Sequence, residues 1–80
     1  MKFRINIILR ATILDPQGEA IRQSLKNLSF KNITKVTQGK IIDLDIDEKN
    51  PEIALKEVIK MTEELLVNDL IEDYSIERTG

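Results

Sequence analysis

Around Asp15-Pro16 the hydrophobic period of the chain changes from two to about 3.6, the change from an extended segment to a helix. Asp15 supplies a carboxylate that can accept from the free N–H groups of a first helical turn, and Pro16 sits where its fixed φ and missing N–H cost nothing. Asn50-Pro51 repeats the device. Two helix starts, each preceded by alternating apolar residues, restrict the chain to an α+β arrangement in which strands and helices interleave.

Upstream of Asp15, Phe3, Ile5, Ile7, Leu9 and Ala11 fall on one side of an extended chain and Arg4, Asn6 and Arg10 on the other, so residues 2–12 read as a half-buried strand. Ile8 interrupts the polar side and is either a scattered surface isoleucine or a subunit contact. From Pro16 to about Leu28, Ile21, Leu25 and Leu28 recur at helical spacing, and Phe30 is expected to fold back onto the core. Ile33–Gln38 and Ile41–Asp47 flank Gly39-Lys40 and predict a hairpin, the second arm carrying Ile42, Leu44 and Ile46 inward and Asp43, Asp45 and Asp47 outward. A second helix follows from Pro51 to near Val67 with Leu55, Val58, Thr62 and Leu65 as its buried stripe, and a last strand spans Ile71–Arg78.

Strand, helix, strand, strand, helix, strand is the ferredoxin-like split βαβ order. Right-handed crossovers then place two helices on one face of a four-stranded antiparallel sheet, with the Ile- and Leu-rich first and third strands central. The other face, carrying Ile8, Ile41 and Ile71, is left open as a partner surface.

Eighty residues form one domain with a thin core, since chains this short bury only about 60% of their surface on folding. There is no cysteine to staple it and no histidine to help hold a metal, which leaves self-association as the expected source of extra burial. A net charge of −2 argues against nucleic acid and anionic membranes as partners. No apolar run is long enough to span a bilayer, and the expected location is the cytoplasm.

No catalytic unit emerges from the spacing. Asp43-x-Asp45-x-Asp47 has Glu48 where a calcium loop needs glycine, and its intervening Leu44 and Ile46 suit a strand. Gly39-Lys40 lacks the upstream glycine of a phosphate-binding loop. The three aromatics, Phe3, Phe30 and Tyr74, do not form the stacking platform of an RNA-binding sheet. Gly18, in a helical first turn, is unexplained by capping, and with Gln17 it marks an exposed corner suited to partner contact.

Leu14-Asp15-Pro16-Gln17-Gly18, Gly39-Lys40, and Leu65-Leu66-x-Asn68 followed by Ile71-Glu72-Asp73-Tyr74 together resemble the PurS family, small subunits of phosphoribosylformylglycinamidine synthase. Asp69 departs from that pattern, where proline is expected in many relatives. The resemblance covers residues 1–80 as a single PurS-like domain and implies a ligase subunit of purine biosynthesis. It implies no catalytic residue, metal or cofactor on this chain, with ATP and Mg used on another subunit. The implied partners are a large synthetase subunit, a glutaminase subunit, and further copies of the chain as a dimer or dimer of dimers. Gln17, Gly18, Lys40 and Asp73 are the candidates for partner contact. The alternative from another class is an ACT-like domain binding a small ligand near the loop after the first strand.

Overall fold

The computed structural model describes residues 1–80 as β1 (Lys2–Leu9), α1 (Pro16–Asn27), β2 (Gly39–Asp45), α2 (Pro51–Met61), a π-helical turn (Thr62–Leu66) and β3 (Glu72–Arg78). The strands form one antiparallel sheet in the order β2-β1-β3. Both helix starts are capped as their sequence requires. Asp15 accepts from the Gly18 N–H at 3.0 Å, and Asn50 from those of Glu52 and Ile53 at 3.0 and 3.4 Å.

Alternation in β1 turns Phe3, Ile5 and Ile7 inward, where they meet Ala54 and Val58 of α2 and Val67. These six residues are the whole buried apolar core. Thr62 is buried beside them and returns its hydroxyl to the Val58 carbonyl at 2.8 Å, just where α2 widens into the π turn. That turn closes with a bond from the Val67 N–H to the Thr62 carbonyl. Leu55 and Leu65, assigned to the buried stripe by their spacing, are exposed.

Three further expectations are corrected. The sheet has three strands, because residues 33–38 make no backbone–backbone hydrogen bond and join no ladder. No hairpin forms at Gly39-Lys40. Gly39 instead opens β2 opposite Ile8, in a site so close to β1 that an added Cβ would lie 2.5 Å from the Ile7 carbonyl oxygen. With no fourth strand beside it, β2 is an edge and β1 alone is central.

The third correction concerns α1, which contributes nothing to the core. Its end is well formed: Ser29 adopts a left-handed φ of 80°, and the N–H groups of Ser29 and Phe30 close onto Lys26 and Leu25 in a Schellman motif. Yet Leu28 and Phe30 remain 69% and 56% exposed, and Phe30 does not fold back. Residues 10–38 form an arm on the sheet. The molecule measures 51 × 26 × 14 Å, with a radius of gyration of 16.3 Å where a compact chain of this length has about 12 Å.

Stability should therefore reside in the sheet and α2. Ile5→Ala is expected to lower the free energy of unfolding by about 2–5 kcal/mol in urea titration. Leu70→Ala, at an exposed tip, should stay within about 0.5 kcal/mol of the unsubstituted protein.

Candidate functional site

One end of the sheet gathers the close of β1, the openings of β2 and β3, and the root of the arm. The organising group is Asp15. One of its oxygens caps α1 and the other accepts from the Gln38 N–H at 2.7 Å, tying the outgoing and returning ends of the arm together. These bonds, first from Gly18 and then from Gln38, hold the carboxyl below the ordinary aspartate range against the opposing effect of its burial.

Gly18 belongs to the same junction. It is buried, and a Cβ built on it would lie 2.1 Å from the Val36 carbonyl oxygen. The missing side chain thus admits the returning backbone, an intramolecular reason for the glycine.

Gln17 and Lys40 line a depression of about 270 Å³ with Asp15, Gln38 and Glu72. Lys40 and Asp73 line a larger one of about 490 Å³, floored on the open sheet face by Asn6, Ile8 and Ile41. Lys40 joins the two depressions, so three of the four residues expected to touch partners lie along one continuous end of the molecule. Gly18 lies behind them.

Their charges are already matched. Lys40 Nζ stands 4.0 Å from Glu72, and Arg10 Nε donates to Asp73 at 3.2 Å. Arg10 also donates to the Asp69 and Leu70 carbonyls, bracing a turn in which Asn68 accepts from the Leu70 N–H and Glu72 accepts from the Asn68 N–H. That turn holds Leu70 out to solvent at 82% exposure, in line with Leu65 being equally exposed. Arg10 and Glu72 escape a reading of the sequence because sheet register, which sets Ile8 opposite Asp73 and Leu9 opposite Glu72, brings them into place.

No nucleophile–base pair is assembled here. Tyr74 is raised in pKa chiefly by desolvation and then by its bond to Glu63, which makes it a weaker acid than usual. No group of three or more carboxylates is placed to hold a metal ion, and every buried side-chain polar atom is hydrogen-bonded. The arrangement presents a paired, partly apolar surface.

A model of the PurS family, described as phosphoribosylformylglycinamidine (FGAM) synthase, matches residues 2–80. The chain belongs to the PurS family. It is 42% identical over 74 residues to the PurS subunit of Mycobacterium leprae, covering 92% of this chain and 90% of that one. With the PurS subunit of Archaeoglobus fulgidus the identity is 39% over 72 residues, 90% of each chain. Among solved structures, a chain in that of PurLQS from Thermotoga maritima superposes with a TM-score of 0.87 at 36% identity, covering 98% of this chain and 95% of the other. PurS of Methanocaldococcus jannaschii, described as one of the subunits of formylglycinamide ribonucleotide amidotransferase, gives 0.81 at 36%, with 99% and 98% covered. The chain is thus a PurS subunit of FGAM synthase, a ligase of purine biosynthesis.

Two outcomes follow from the junction. Because Asp15 has a depressed pKa when folded, its contribution to stability is present above the unfolded aspartate value and disappears as pH falls through the lower folded one. Urea midpoints measured downward from neutral pH should fall more steeply for the unsubstituted protein than for Asp15→Asn. Gly18→Ala should cost about 1–3 kcal/mol in the same assay, since a backbone carbonyl has to move to admit the methyl group.

Proposed function

We propose that this chain is the non-catalytic small subunit that joins a glutaminase and an ATP-dependent synthetase, so that ammonia released by one is used by the other to convert formylglycinamide ribonucleotide to its amidine. The observation that carries the reading is the full-length match to PurS, including a chain from a PurLQS assembly. Its chemistry supplies the reason for such a subunit. Ammonia released into water is protonated or diluted before a second site can use it, so the two sites must be held together. A surface of paired side chains without a nucleophile–base unit suits a connector.

The connector acts as a single domain in the cytoplasm, with ATP and Mg bound on the synthetase. It acts as a dimer or dimer of dimers. Supporting this are the six-residue core, the elongated outline and an arm that adds no apolar side chain to the buried core. The end formed by Gln17, Lys40 and Asp73, with the braced Leu70, is the surface offered to the larger subunits.

Reconstitution tests the reading. Glutamine-dependent amidine synthesis by the two larger subunits should depend on adding this chain, and the chain alone should show no glutaminase or ATPase turnover. Full activity without it, or turnover by the pure chain, would overturn the proposal.

A further inference from the structure

Leu65 and Leu70 are the two most exposed large apolar residues of the chain, each at 82%, and both stand at the corner between α2 and β3. Neither is exposed through looseness. The core side of α2 runs through Ala54, Val58 and Thr62, four residues apart. A continuous α-helix would bring Leu65, seven residues after Val58 and three after Thr62, onto that same side. The π turn prevents this. Its bond from the Val67 N–H to the Thr62 carbonyl, 3.0 Å long, adds a residue to the turn, so Leu66 packs against the core and Leu65 is turned out.

Leu70 is held just as firmly. The Ile71 and Glu72 N–H groups donate to the Asn68 carbonyl at 3.1 and 2.8 Å, and the Leu70 N–H donates to the Asn68 side chain at 3.1 Å. Arg10 reaches across from the end of β1 to the Asp69 and Leu70 carbonyls, and its own N–H donates to the Ile71 carbonyl at 2.8 Å. Tyr74 donates to Glu63 at 3.2 Å and so ties β3 back to the π turn. Both leucines are thus fixed before anything docks on them, and little backbone freedom remains to be lost on docking.

Their surroundings are acidic. Residues 61–77 contain no Lys or Arg, and Glu63, Glu64, Asp69 and Asp73 are exposed beside the leucines. Arg10 meets Asp73 and Lys60 meets Glu64, which leaves Glu63 and Asp69 without a cation. The chain's own largest hollow, about 490 Å³, is a poor receptor for this tip. It is edged by Asp73 and by Lys40, whose charge Glu72 already meets, so a second copy's leucines seated there would set like charges together.

We infer that Leu65 and Leu70 are paired anchors that enter an apolar socket rimmed by Lys or Arg on a larger subunit of the assembly. This rests on the connector reading above and deepens it by naming the anchors and the chemistry of their receptor. The leucines supply buried apolar area, and the acidic rim orients the tip and rejects acidic surfaces.

Calorimetric titration of the two larger subunits, mixed, with this chain tests the inference. Leu65→Ser and Leu70→Ser should each weaken binding about tenfold or more, the effect of withdrawing one leucine side chain from an apolar socket. Ile53→Ser, at a comparably apolar exposed position on the first turn of α2, should leave it unchanged. Asp69→Lys, which alters charge at a side chain without a partner, should weaken it several-fold. Leucine variants that bind as tightly as the unsubstituted chain, or no more weakly than Ile53→Ser, overturn the inference, and so does tighter or equal binding by Asp69→Lys. A leucine variant that alters the chain's own oligomeric state in light scattering places these residues between copies and overturns it as well. Absence of binding by the unsubstituted chain overturns the connector reading itself, and this inference with it.

Discussion

Asp15 is the group on which the arrangement depends. Its two oxygens hold the first turn of α1 and the backbone re-entering the sheet at Gln38, and both bonds come from N–H groups that would otherwise lack a partner. An arm of this length, leaving and returning at neighbouring points, needs such a closure at its root. Gly18 permits the approach by offering no Cβ to the Val36 carbonyl. The same junction sets Gln17 beside Lys40, and through Lys40 connects the inner face of the sheet to its open face.

Beyond that root, the chain divides into a part that is finished and a part that is not. β1, flanked on both sides and covered by α2, satisfies its backbone and buries Ile5 completely. The arm satisfies its local requirements, through the Asp15 cap and the Schellman closure at Ser29, but buries no apolar face. Local hydrogen bonding makes a helix possible, whereas burial makes it stable. The open edge of β2, and residues 33–38, which bond to no strand, leave the same deficit in the sheet.

What can be read from the sequence follows this division. β1, both helix starts and β3 are legible because a period or a cap encodes each within a few residues. The absence of a fourth strand is not, since alternation in Ile33–Gln38 records a tendency to extend and says nothing about whether a neighbouring strand lies within reach. Gly39 reads as a turn for the same reason that Gly18 reads as a contact: a glycine shows that something comes close, without showing what. At Gly39 it is the Ile7 carbonyl, and at Gly18 the Val36 carbonyl. The π turn escapes prediction because it depends on Thr62 returning its hydroxyl to Val58 at a buried position. Of the candidate site, Gln17, Lys40 and Asp73 stand out by position near strand and helix ends, whereas Arg10 and Glu72 become visible only once register sets β3 against β1.

Amide hydrogen exchange in Asp15→Ala measures the closure at the root of the arm most directly. The Gly18 and Gln38 amides, which donate to the two Asp15 oxygens, should lose protection in that variant while the β1 amides keep theirs. Unchanged protection of both amides would contradict the dependence of the arm on Asp15.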